Sequence, residues 1–183
     1  DWLTLPIENE GQKQASWRTD PSKAGMGGSI GDIGSHAFNL ADFITGAKLE
    51  ELCADISSFV EGRKNDDNAH VLLRYENGAK GMLWSSQVAP GNENALKIRI
   101  YGDKGGLEWE QENPNYLRVD IFGKAKKIIR RAGNETTETG IRVSRIPPGH
   151  PEGYLEGFAN IYSDFAKQIH ALKQEVDIDE SLK

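Results

Sequence analysis

From residue 52 to residue 131 the apolar side chains alternate instead of recurring at helical spacing, and this long period-two stretch restricts the folds open to the chain. Ala69, Val71, Leu73 and Tyr75 share one face of a strand. Asn77-Gly78 follows, a favoured two-residue hairpin turn, and residues 79–88 read as the return strand. Residues 52–60 form a shorter β-rich run before this pair. Leu96, Ile98 and Ile100 then alternate with Lys97, Arg99 and Tyr101, and a Gly-rich turn leads to residues 107–109. Segments 116–122 and 126–131 complete the series. Strands joined this closely pair antiparallel.

Helical spacing brackets the strands. Ile30, Ile33, Ala37, Leu40 and Ile44 repeat at intervals of 3 and 4, which predicts a helix over residues 29–45 with Gly46 as its stop. Leu155, Phe158, Tyr162, Phe165, Ile169 and Leu172 predict a second over residues 152–173. Shorter pieces are expected elsewhere: an extended segment over residues 2–7, a strand from Trp17 running into a turn at Pro21, and another strand over 141–146. Residues 174–183 read as a frayed polar tail. The order predicts an α+β fold: a largely antiparallel open sheet with helices packed on one face. Its other face is left to water or to oligomer contacts; Met82 and Trp84, on one strand face with Lys80 and Ser86, read either as markers of that surface or as core residues.

Charge and cysteine usage exclude several functions. The net charge of -6 supplies no basic footprint for nucleic acid, and no run is apolar and long enough to span a membrane. The single cysteine, Cys53, rules out an internal disulfide and reads as a small core residue; such usage fits a reducing, cytoplasmic setting. The chain opens at Asp1-Trp2 without an initiator Met, as a piece of a longer protein would.

The chemistry concentrates at the head of the first helix. Gly27-Gly28 permits close backbone approach, and Asp32 and His36 stand four residues apart, on one helix face about a turn from each other. A second stripe, Ser29, Asp32, His36, Asn39 and Phe43, adjoins the apolar one and places this pair at the edge of the core. Histidine titrates near working pH and suits a general acid/base; a neighbouring carboxylate orients the imidazole or holds a substrate hydroxyl. Residue types alone also admit Asp32 as a first-turn acid favourable to the helix dipole, and His36 as a polar flank residue. Arg18 and Lys23 precede the motif, either within reach of an anionic or hydroxyl-rich substrate or as solvated loop charges. His150 sits in a Pro/Gly loop; His70 reads as a sheet-surface residue and His170 as an exposed one. No third ligand joins Asp32 and His36, so no metal site is expected.

Gly27-Gly-Ser-Ile-Gly-Asp32-Ile-Gly34-Ser-His36 resembles the Asp-x-Gly-x-His motif of the Gfo/Idh/MocA oxidoreductases. Asn77-Gly78-Ala79-Lys80-Gly81, the strand-turn-strand around Gly102 and Gly105, and Gly149-His150-Pro-Glu-Gly-Tyr154 through Tyr162 resemble later segments of the same proteins, in order. The resemblance implies that residues 1–183 are the C-terminal substrate-binding and oligomerisation domain of a longer enzyme. An N-terminal Rossmann domain with a Glu-Lys-Pro motif, absent from this chain, would bind NAD or NADP. It further implies a sugar or polyol substrate and a homodimer or homotetramer formed through the sheet face. His36 is implied as acid/base with Asp32 as partner, and Asn39, Arg18 and His150 as substrate contacts. Many relatives carry Asp where Asn39 stands, and asparagine bears no charge. An NAD-dependent glycosidase-type reaction and a non-enzymatic assembly role are the alternatives within this resemblance.

Overall fold

The computed structural model of the chain describes residues 16–178. The extended segment expected over residues 2–7 and the end of the polar tail lie outside those residues. Two compact units divide the chain: one runs up to Ile98 and includes Glu110–Glu112, and the other comprises Arg99–Trp109 and the residues from Asn113 on.

The first unit is built on an antiparallel sheet of order β1-β2-β3: β1 Leu49–Ser57, β2 Asn68–Tyr75 and β3 Lys80–Ser86. Period-two alternation sets its two faces. Ala69, Val71 and Leu73 are buried. A π-helical turn, Ile30–Gly34, leads into α2, Ser35–Thr45, and both pack on β3, the π turn also touching β2. The helix ends at Gly46 as expected, with the Gly46 N–H donating to the Asp42 carbonyl at 2.8 Å.

The opposite face of this sheet is open, with Met82 81% and Trp84 63% exposed. His70 lies opposite Asp55 on one side and Trp84 on the other, and Leu72 lies between Cys53 and Met82. Cys53 is exposed, which corrects its reading as a core residue: β1 is an edge strand whose residues 50–56 are exposed on both faces. The indole N–H of Trp84 donates to Asn68 Oδ1 at 2.8 Å, and the Asn68 amide lies 3.2 Å from His70 Nδ1. The rings of His70 and Trp84 stack with centroids 6.0 Å apart.

Three local expectations are corrected. The β2–β3 connection has three residues, not two: Tyr75 pairs with Ala79 through a 3.0 Å bond, and Gly78 adopts φ +83, the left-handed conformation that a bulged three-residue hairpin requires. The strand expected at Trp17 is a 3-10 turn, Ser16–Thr19, followed by α1, Pro21–Ala24. Pro21 pre-sets the helical φ, and the Asp20 carboxylate accepts from the Ser22 N–H at 3.0 Å, so a cap forms where a turn was expected. The expected strand at residues 52–60 begins and ends three residues earlier, because residues 58–60 belong to a loop tied down by Asp67. Fully buried, Asp67 accepts from the Phe59 and Val60 N–H groups at 2.9 Å each and faces Arg63.

The sheet expected as one is two. Residues 87–96 break the run around Pro90-Gly91, and the later strands form their own sheet of order β4-β5-β6-β7: β4 Lys97–Gly102, β5 Gly105–Glu110, β6 Tyr116–Ile121 and β7 Lys127–Arg130. The β5–β6 and β6–β7 pairings are antiparallel. Residues expected as a strand near 141–146 contribute instead to α3, Glu138–Val143, because the Thr137 hydroxyl caps it by accepting from the Gly140 N–H. The last helix, α4, is Tyr154–Gln174. Before it, Arg131 and Glu152 form an ion pair, Arg131 also donates to the carbonyls of Ile146 and His150, and Glu152 accepts from the Arg145 N–H at 2.7 Å. The architecture is α+β, with antiparallel open sheets.

Candidate active site

Helix N-termini carry backbone N–H groups without intrahelical acceptors. At the head of the π turn those groups meet the Asp66 carboxylate: Oδ1 accepts from the Gly28 N–H at 2.6 Å and Oδ2 from the Ile30 N–H at 2.7 Å. The Asp66 carbonyl accepts from the Ser29 N–H at 2.9 Å. This three-point seat explains the glycine at position 28, where a Cβ would lie 2.0 Å from the Asp66 carbonyl oxygen. The π turn inserts one extra residue into the helical register, closing with the Ser35 N–H on the Ile30 carbonyl. Such single-turn insertions re-aim the side chains that follow them.

Asp32 sits within this turn, and its partner is Arg18: Arg18 Nε donates to Asp32 Oδ2 at 3.0 Å. The Arg18 guanidinium also lies over the Trp17 ring, 4.4 Å from its centroid. A pocket of about 280 Å³ opens here, lined by Trp17, Arg18, Ala24, Gly27, Gly28, Gly31, Asp32 and Gln87. Its wall combines an aromatic ring, a charge pair and an amide, the mix of one apolar surface and a few polar groups that suits a small hydroxylated ligand.

His36 and Asn39 lie further along the helix, both exposed. They do not line the pocket, and among the described residues no hydrogen bond joins Asp32 to His36. The structure thus brings together Arg18 and Asp32, with His36 four residues on. Lys23 lies in α1 rather than a loop and is a solvated charge 3.5 Å from Asp20. His150 belongs to the other unit and is exposed, its carbonyl held by Arg131. His70 and His170 are exposed, as expected.

Trp17, Asp66 and Gln87 escaped the sequence reading. Gln87 is buried at the end of β3, and its N–H donates to the Asp67 carbonyl at 2.8 Å. Both Asp66 and Gln87 reach the site across long sequence separations and follow no periodic pattern. The pair Asp66-Asp67, two acids heading a strand of apolar alternation, was the available signal.

A dinucleotide phosphate seated at a glycine-rich turn binds the free N–H groups of a helix start. Here Asp66 already occupies those of Gly28 and Ile30, and the element before the turn is α1 rather than a strand. The residues present do not fit a dinucleotide phosphate. No cluster of three metal-ligating side chains occurs among the described residues, and none of their helices is long and apolar enough to cross a membrane.

Comparison with known proteins agrees with this architecture. Residues 4–108 match the GFO/IDH/MocA C-terminal domain family model. An uncharacterized oxidoreductase of Bacillus subtilis, YfiI, is 36% identical over 172 residues, covering 91% of this chain and 44% of that protein. A solved oxidoreductase from Sinorhizobium meliloti is 57% identical with a TM-score of 0.81, covering 85% of this chain and 44% of its own. An inositol dehydrogenase homolog from Azotobacter vinelandii, solved with NADH and myo-inositol, is 33% identical with a TM-score of 0.82, covering 88% and 42%. The chain spans less than half the length of each.

Proposed function

Because the chain belongs to the GFO/IDH/MocA C-terminal domain family, we propose that it forms the substrate side of an NAD(P)-dependent oxidoreductase acting on a sugar, polyol or related alcohol. The observation that carries this reading is the Arg18–Asp32 pair in the wall of a small polar pocket, with His36 following on the same helix. In this proposal Arg18 and Asp32 bind and orient substrate hydroxyls: the guanidinium donates, and the second carboxylate oxygen accepts. His36 takes the hydroxyl proton as the alcohol is oxidised and returns it in the reverse direction. A nicotinamide held by the remainder of the enzyme supplies the hydride acceptor. That remainder would be an N-terminal cofactor domain. The open face of β1-β2-β3, with Met82 and Trp84, is proposed as the contact through which a homodimer or homotetramer assembles.

The test is direct. The whole enzyme is assayed with NAD+ and with NADP+ against myo-inositol, levoglucosan and D-glucose, following reduced nicotinamide by absorbance. Turnover of at least one substrate is expected, and none from the 183 residues alone. Turnover by the 183 residues without the remainder would remove the assignment of the cofactor site to another domain.

A further inference from the structure

Gln87 presents a group that the fold does not use. The residue is only 7% exposed, lines the pocket, and its side-chain amide has no hydrogen-bond partner among the described residues. Its main chain is fixed on both sides: its own N–H donates to the Asp67 carbonyl at 2.8 Å, and the next N–H, of Val88, donates to Ser86 Oγ at 3.2 Å. Asp67, in turn, is anchored by Phe59 and Val60. A rigid backbone therefore holds an unpaired amide against a cavity. An amide that no group of the fold takes up, carried in a pocket wall by a fixed backbone, is offered to whatever enters that pocket.

The chemistry of the wall narrows that ligand. An amide carries a donor and an acceptor side by side, and hydroxyl groups both give and take hydrogen bonds. Among the lining residues the cation is Arg18, whose charge is already matched by Asp32 at 3.0 Å. A ligand carboxylate entering here would meet the Asp32 carboxylate without a cation of its own.

We propose that Gln87 is a substrate-contacting, specificity-determining residue: its amide holds hydroxyl groups of a neutral polyol, and the pocket selects neutral polyols over acid sugars. The proposal rests on the functional reading above and deepens it by assigning the residue and the charge class.

The test measures equilibrium binding to the whole, cofactor-loaded protein, separately from turnover. The probes are myo-inositol, D-glucose, levoglucosan, D-glucuronate and the monodeoxy derivatives of whichever neutral probe binds tightest. Wild type is expected to bind a neutral probe and to bind D-glucuronate at least roughly tenfold more weakly. Gln87→Leu should weaken the neutral probe by about tenfold or more, and weaken one monodeoxy derivative by less than about threefold, because that derivative lacks the hydroxyl the amide holds. A purely structural role would weaken every probe alike. Should Gln87→Leu fold poorly, the wild-type Gln87 side-chain amide resonance supplies the second readout, and it should shift on adding the neutral probe. Failure of every neutral probe to bind, equal losses across the deoxy series, or an unmoved amide resonance would overturn the proposal. Binding with this pattern but without reduced nicotinamide would instead overturn the oxidoreductase reading and leave Gln87 assigned.

Discussion

Arg18 Nε donates to Asp32 Oδ2 at 3.0 Å across fourteen residues of sequence, with the two side chains 18% and 31% exposed. A hydrogen bond to a charged group in such a half-buried place contributes about 1.5–3 kcal/mol before solvent screening, which reduces it. Arg18→Ala in the whole enzyme should therefore raise the polyol KM roughly tenfold. Arg18→Lys should recover part of that loss, since lysine keeps a cation that can face Asp32 but lacks the planar group that lies over the Trp17 ring. Steady-state kinetics on both variants check this.

His36 has no binding role in the pocket wall, so its removal should act on the rate. His36→Ala is expected to lower kcat roughly a hundredfold to ten-thousandfold with KM little changed. Circular dichroism should match wild type, because the side chain is exposed. Near-normal turnover would take His36 out of the proton-transfer role.

Removing the Asp66 carboxylate orphans the N–H groups of Gly28 and Ile30 together. Asp66→Ala should cost about 2 kcal/mol or more in stability, measured by urea unfolding. Hydrogen exchange should rise at residues 28–32, ahead of the rest of the first unit. Asp66→Asn, which keeps one acceptor oxygen, should fall between the two.

Glu156 sits in the first turn of α4, and its carboxylate accepts from the Gly153 N–H at 2.9 Å. That bond, followed by its own backbone N–H, holds the acid below its ordinary value of 4.5. A lowered value means that the ionised form is favoured in the folded state. Its contribution is full above the unfolded value and is lost as pH falls through the folded one. The Gly153 amide resonance should move over that acid range in wild type and stay still in Glu156→Gln, as an NMR titration would record.

Trp84 and Met82 share an exposed strand face. Trp84→Glu places a charge there without touching Ala69, Val71 or Leu73 behind it. Sedimentation velocity of the whole enzyme should show a smaller species for the variant than for wild type. An unchanged assembly would move the subunit contact elsewhere.

Much of this arrangement was legible in the residues. The alternation of Ala69, Val71 and Leu73 announced the buried face, and the 3-4 spacing from Ile30 to Ile44 announced the helix over it. What stayed hidden depended on contacts between distant positions. Nothing local distinguishes Asp66 from its neighbour Asp67, yet one seats a helix head and the other ties a loop. Ile141 and Val143 carry β-prone side chains, but the Thr137 cap decides for helix. Cys53 stands in an apolar run that reads as core, but β1 is an edge strand and exposes both of its faces.

The seat at Gly28 has a consequence for how sequences of this kind can diverge. The atom facing it is a main-chain carbonyl, which is present whatever residue stands at position 66. A side-chain obstacle can be relieved by a second substitution nearby; this one cannot. In a library randomised at both positions, residue 66 should tolerate some exchange among hydrogen-bond acceptors, whereas position 28 should return a single solution. The two sites touch, but only one of them is free to drift.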